Sequence, residues 1–100
     1  MKTIFVYGIL QRENSAKEFG LTDDMYLGRA ILEGFERRYL THIVKTKNGN
    51  SVEGDLFKVP DELEQKLYEF EAKFGYWREI VKPKRLKDKK EFEATCYLVN

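Results

Sequence analysis

Between residues 60 and 74 the chain places its apolar residues at a helical period. Leu63, Leu67, Phe70 and Phe74 recur at spacings of four, three and four and make one apolar stripe. Pro60 suits the first helical position, where no N–H donor is needed. Asp61, Glu62 and Glu64 put negative charge in the first turn, where the helix dipole favours it. Lys73 falls in the last turn, and Gly75 is placed to end the helix. A single helix of this kind, set among segments with strand character, has to bury its stripe against a sheet.

The strand segments lie on both sides of it. Residues 2–7 are an apolar, β-branched and aromatic run that ends at Gly8, the pattern of a buried strand. Residues 8–24 are polar and irregular, with a short helical turn expected from Ser15 to Phe19 and Asn14 or Ser15 as its cap. Residues 25–32 read as a strand in which Gly28 marks a bulge or bend. Gly34 follows, and residues 35–44 read as one extended segment. Lys47-Asn48-Gly49-Asn50 is a turn with the strongest short-range hairpin signal, so residues 51–59 are expected as its return strand. Residues 76–82 form another strand stopped by Pro83, and 84–90 a charged hairpin tip. Residues 92–99 close the chain with Phe92, Ala94, Cys96 and Leu98 on one face. This order predicts one α+β domain over residues 1–100: a small mixed, mostly antiparallel β-barrel with one main helix and a short helical turn.

Composition narrows the function classes. A chain of 100 residues buries one modest core, and an aromatic fraction of 14% supplies much of its volume. A net charge of +1 argues against a general electrostatic nucleic-acid binder. No apolar stretch reaches membrane-spanning length, which predicts no membrane partner. The first residues enter a strand and lack a signal-peptide pattern. The only cysteine, Cys96, excludes an intramolecular disulfide. Both features fit a reducing cytoplasm. Cys96 lies among strand residues and reads as a packed thiol rather than a nucleophile. His42, the only histidine, reads as structural, because a metal site needs several converging ligands. Residues 82–90 hold six basic residues and one acid. With no interleaved aromatic, they read as a solvated tip before they read as a nucleic-acid arm.

Two places can carry chemistry. The loop that leaves the first strand at Gly8 is held at one end and open at the other. Amides at residues 8 to 10 are placed to meet an anionic or carbonyl oxygen, although an ordinary strand-to-turn junction has the same sequence. The other is Glu71, which lies about 70° from the centre of the apolar stripe at about 100° per residue. A carboxylate on that border is partly desolvated, which raises its pKa and suits proton transfer. From these residues alone it reads first as a boundary carboxylate paired with Lys73, with Arg78 or with nothing.

Three motifs, in order, resemble the gamma-glutamylcyclotransferase-like superfamily and its short AIG2-like branch. Val6-Tyr7-Gly8-Ile9-Leu10 resembles the family's Tyr-Gly-Ser/Thr-Leu loop. Val52-Glu53-Gly54-Asp55-Leu56-Phe57 resembles its Val-x-Gly-x-Leu-Tyr strand. Residues 67–78, with Glu71 and then Tyr76-Trp77-Arg78, resemble its acidic motif followed by Tyr-x-Arg. The closing Ala94-Thr95-Cys96-Tyr97-Leu98-Val99 is similar to its Ala-x-x-Tyr-Val ending.

The resemblance implies a small mixed barrel whose loop and acid line one cavity. It implies a small gamma-glutamyl substrate, bound by Tyr7, Gly8, Ile9, Leu10, Tyr76, Arg78 and Tyr97. Glu71 is then the general base that releases 5-oxoproline and an amine or amino acid, with no metal or organic cofactor. The three tyrosines either wall the cavity and offer hydroxyls or are core aromatics with a polar tip. The chain departs from the pattern at Ile9, where a hydroxyl residue is usual. It departs again at Ala72, where a glycine commonly follows the acid and the helix is expected to run a turn longer. Retention of Glu71 favours an enzyme, and Ile9 favours a non-catalytic small-molecule-binding module of the same fold. A nucleic-acid adaptor working through residues 82–90 is a third reading.

Overall fold

The computed structural model describes residues 1–39 and 42–99. Its strands are β1 (Lys2–Val6), β2 (Tyr26–Glu33), β3 (Phe35–Tyr39), β4 (His42–Lys45) and β5 (Ser51–Val59), then β6 (Trp77–Val81), β7 (Lys84–Arg85) and β8 (Ala94–Leu98). The helix α1 (Asp61–Ala72) follows β5, and short 3-10 turns occupy Ala16–Phe19 and Asp23–Met25. Six strands form one sheet in the order β6-β8-β1-β5-β2-β7, while β3 and β4 form a separate ribbon. β1 and β8 run parallel; the other strand pairs are antiparallel.

Strand alternation sorts the side chains between two faces. Phe5 faces Leu56 on β5 and Cys96 on β8, and all three lie in one inner cluster with Ala30, Leu32, Val52, Val81 and Leu98. Phe35 and Ile43 bring the ribbon into the same cluster. The opposite face presents Ile4, Val6, Phe57, Val59 and Tyr97 to Leu67 of α1 and to Ala16 and Leu21 beside the first 3-10 turn. Each fully buried Leu or Phe contributes roughly 1.5–3 kcal/mol. The expected fold is therefore met as a mixed, mostly antiparallel sheet with one main helix. Its hydrogen-bonded order is open among the described residues, with β6 and β7 as edges.

Gly54 lets β1 lie close on β5. A Cβ there would sit 2.3 Å from the Val6 carbonyl oxygen and 2.7 Å from the Phe5 ring. The register of β2 against β5 shifts between Tyr26 and Gly28, which is the irregularity expected at that glycine.

Several boundaries differ from the sequence reading, each for a local reason. Pro60 is the N-cap rather than the first helical residue, because its backbone is extended (φ −60°, ψ 149°). The helix stops at Ala72 instead of running a turn further, and Gly75 follows at φ +87°. Phe74 lies beyond the helix end and is 63% exposed, so only Leu67 of the expected stripe is fully buried. Glu64 takes a buried place on that face.

The expected single segment 35–44 is two antiparallel strands, with Phe35 opposite Lys45 and Tyr39 opposite His42. Residues 40 and 41, which belong to that expectation, lie outside the described residues. The Asn48-Gly49 turn does not join two paired strands. It carries the chain from the ribbon to β5, pinned where the Gly34 N–H meets the Asn50 carbonyl at 3.0 Å. The basic segment closes as a turn through Arg85 N–H to the Lys90 carbonyl at 2.8 Å, with Arg85 paired to Asp88 and donating to the Leu27 carbonyl. No helix among the described residues is long and apolar enough to cross a membrane.

Candidate active site

The chain leaves β1 at Tyr7 and turns at once. Gly8 O accepts from the Gln11 N–H (3.0 Å) and from the Asn14 side chain (2.9 Å), and Ile9 O accepts from the Ser15 N–H (2.8 Å). The loop thus spends its carbonyls on its own closure. The N–H groups of Gly8, Ile9 and Leu10 meet no backbone acceptor among the described residues. Asp55, 1% exposed on β5, fixes the far end of the loop by accepting the Arg12 N–H at 2.8 Å. Its other oxygen accepts from the Tyr26 hydroxyl at 3.0 Å and lies 3.5 Å from Arg29. With its amide oriented to satisfy both ends, Gln11 donates to the Tyr7 carbonyl and accepts from Arg29.

This loop is one wall of a cavity of about 400 Å³, within the range of small-molecule sites. Phe5, Val6 and Tyr7 continue the wall into β1, and Tyr97 joins it from β8. Phe70 and Glu71 come from the last turn of α1, followed by Phe74 and Tyr76. His42 comes from the ribbon, with its ring against Tyr76 at 5.9 Å. The structure therefore gathers Glu71, Tyr7, Gly8, Ile9, Leu10, Tyr76 and Tyr97 around one space.

It does not bring Arg78 there. The Arg78 guanidinium donates to Glu64 at 2.7 Å and to Gln65 at 3.1 Å, and stacks over the Tyr68 ring at 3.9 Å.

Glu71 is the lone carboxylate of the lining. It is half-buried, and burial alone raises its pKa from the ordinary value of 4.5. No hydrogen bond or ion pair among the described residues holds its side chain, so the boundary pairing with Lys73 or Arg78 is not formed. The hydroxyls of Tyr7 and Tyr97 are committed elsewhere. Tyr7 donates to the Tyr97 carbonyl, and Tyr97 donates to the Glu64 carboxylate at 2.9 Å. Burial raises both phenols above their ordinary range, and Glu64 adds to the shift at Tyr97. Arg37 stands over the Tyr7 ring, 5.9 Å from its centroid. Cys96 is fully buried, and burial pushes its thiol far above the ordinary value.

Chemically, the site offers one carboxylate and the His42 ring as proton acceptors in a largely apolar cavity, beside a loop whose N–H groups meet no backbone acceptor among the described residues. The described residues contain no cluster of three or more His, Cys, Asp or Glu fit to hold a metal.

Sequence reasoning missed Asp55, Glu64 and the position of His42. A charged residue between Gly54 and Leu56 in an apolar strand was the available signal for Asp55. For Glu64 it was the position three residues before Leu67, on the same helix face. Nothing local marks His42, because its neighbourhood is made by the ribbon folding over.

The family model described as "Gamma-glutamyl cyclotransferase, AIG2-like" matches residues 4–100. No curated protein sequence matches the chain. Among solved structures, an AIG2-like protein from Mus musculus is 21% identical with a TM-score of 0.77, over 99% of this chain and 77% of that one. A gamma-glutamyl cyclotransferase is 20% identical with a TM-score of 0.75, over 99% and 66% of the two chains. YkqA from Bacillus subtilis is 20% identical with a TM-score of 0.82, over 99% of this chain but only 36% of its own. At these identities the likeness to each structure is one of fold. The match of the family model over nearly the whole length, on the same loop, strand and acidic helix end that build the cavity, shows that the chain belongs to the gamma-glutamyl cyclotransferase, AIG2-like family.

Proposed function

We propose that this protein is a gamma-glutamyl cyclotransferase that releases 5-oxoproline and an amine or amino acid, with Glu71 as the general base. One observation carries the reading: a half-buried carboxylate, unpaired among the described residues, shares a cavity with the Gly8–Leu10 loop. Glu71 takes a proton from the substrate's α-ammonium group. The freed amine attacks its own γ-carbonyl, and the carbonyl π electrons move onto oxygen. Loop N–H groups stabilise that oxyanion. As it collapses, the γ-amide C–N bond breaks; the departing nitrogen takes up the proton that Glu71 had accepted, and the ring nitrogen gives up its second proton through Glu71 to the same amine, which leaves as an ammonium ion. Atoms balance without water: one γ-glutamyl amide yields one 5-oxoproline and one amine.

The reaction is intramolecular, so much of the barrier is lowered by holding the substrate folded on itself in a near-attack geometry. A carboxylate pKa raised toward neutrality matches the task of the base. Tyr7, Tyr76 and Tyr97 act in this scheme as walls, and the steps use only protein and substrate groups. We place the reaction in the cytoplasm, where a single buried thiol stays reduced.

Ile9 supports a second reading, a binding module without turnover, because it removes a hydroxyl from the rim of the cavity. The deciding experiment is 5-oxoproline release from a panel of γ-glutamyl amides, with Glu71→Gln alongside. Release that disappears in the variant supports the cyclotransferase. A folded wild-type protein that binds these amides and releases nothing is the module.

A further inference from the structure

The walls of the cavity also constrain the half of the substrate that leaves. The γ-glutamyl half brings one carboxylate and one ammonium group. Glu71 serves the ammonium, and the N–H groups of residues 8 to 10 are shared between the carboxylate and the γ-carbonyl oxygen. Among the described residues the lining contains no lysine and no arginine. A second carboxylate, such as the one a γ-glutamyl amino acid carries, would be desolvated there with no lysine or arginine of the lining to pair with, His42 being the lining's one imidazole. Arg37 is the guanidinium over the Tyr7 ring, outside the lining.

Rings of the lining belong to two ordered stacks. Phe70 packs edge-on against Phe19 at 4.8 Å and against Phe74 at 5.3 Å. His42 is held between Tyr39 at 5.4 Å and Tyr76 at 5.9 Å. Rings braced by their neighbours present fixed faces and lose little freedom when a ligand arrives. Two large apolar side chains of the lining are left uncovered, Phe74 at 63% and Ile9 at 42% exposure. A ligand that covers them removes apolar surface from water.

Resting on the cyclotransferase reading above, we propose that the leaving group is an uncharged apolar or aromatic amine, recognised by Ile9, Phe70, Phe74 and the His42–Tyr76 pair. Ile9 is then a specificity determinant: its branched side chain supplies apolar contact to the leaving group where a hydroxyl residue would supply a polar one. The substrates are γ-glutamyl alkylamides and arylalkylamides, rather than γ-glutamyl dipeptides or γ-glutamyl diamines.

The test uses matched compounds. The γ-glutamyl amide of 2-phenylethylamine and γ-glutamyl-phenylalanine differ by one carboxylate, and the γ-glutamyl amide of 1,4-diaminobutane carries an ammonium group in place of the ring. Wild-type kcat/KM for 5-oxoproline release is expected to favour the phenylethylamide by at least about tenfold over either competitor. Phe74→Ala and Ile9→Thr are each expected to narrow that ratio severalfold. Calorimetric binding of the three compounds to Glu71→Gln reads the same ranking without turnover. The ranking in binding with no release from the wild type would uphold this specificity and overturn Glu71 chemistry. Equal or inverted ranking would overturn the specificity, and so would a folded wild type that neither binds nor turns over any of the three.

Discussion

The Arg78 guanidinium lies 2.7 Å from a Glu64 carboxylate that is 1% exposed, and the other oxygen of that carboxylate accepts the Tyr97 hydroxyl. A conspicuous arginine next to the acidic motif thus acts through a buried acid on a tyrosine of the cavity wall. Its place is behind the site, as a positioning residue. Removing one partner of a buried ion pair strands the other charge, at about 3–5 kcal/mol for a fully buried pair. Arg78 is a third exposed, and Lys2 remains 3.4 Å from Glu64. Arg78→Met is therefore expected to destabilise by about 2–3 kcal/mol in urea unfolding. The double variant Glu64→Gln with Arg78→Gln should recover much of that loss, which a mere packing role for Arg78 would not allow.

Glu71 ties activity to pH in a defined direction. Its carboxylate works as a base only when ionised, and burial holds its pKa above 4.5. The acid limb of kcat/KM should fall at a higher pH than an exposed glutamate would give. Glu71→Gln should lose on the order of 10²–10⁴ in kcat, the usual worth of a general base.

The same shift has a stability consequence of opposite sense. A carboxyl group whose folded pKa is raised contributes stability below its unfolded pKa and loses it as pH rises through the folded value. Glu71→Gln should therefore match the wild type in Tm below about pH 4.5, the ordinary value of the group. Above the raised pKa the variant should be the more stable protein. A variant less stable at neutral pH would show that the Glu71 carboxylate has a stabilising partner after all.

Asp55 should govern substrate binding without touching substrate. It accepts the Arg12 N–H and holds the end of the loop that lines the cavity. Asp55→Ala leaves that N–H and the Tyr26 hydroxyl without their acceptor, at about 1–3 kcal/mol for each buried group stranded. The expected kinetic signature is a rise in KM larger than the fall in kcat. Equal loss in both would indicate general disruption.

Gly54→Ala should test the close approach of β1 and β5. Its Cβ would meet a backbone oxygen that cannot step aside as a side chain can. A loss of about 1–3 kcal/mol or more in unfolding free energy is expected for such overpacking. The damage should reach the loop at Gly8, which continues directly from the displaced end of β1.

How much of this was legible before folding depended on how local each cause was. The helix was legible because its spacing, acidic start and terminal glycine lie within one segment. The turn of the chain at Asn48-Gly49 was legible too, but its partner was not. Which strand pairs with β5 is set by β1 and β2, distant in sequence, and the ribbon is left to pair with itself. The fate of Phe74 shows the same limit. Its spacing put it on the buried stripe, but the helix ends before it and the ring turns to the cavity rim.

The sequence by itself determined the class of the fold, the helix that carries Glu71 and the loop at Gly8, because periodicity, capping and glycine placement act over a few residues. Tertiary structure decided which groups share the cavity and which serve behind it. It brought His42 in from the ribbon, took Arg78 out to Glu64, and left the Glu71 side chain without a partner among the described residues. Those outcomes depend on strand order and on burial, which no window of the sequence contains.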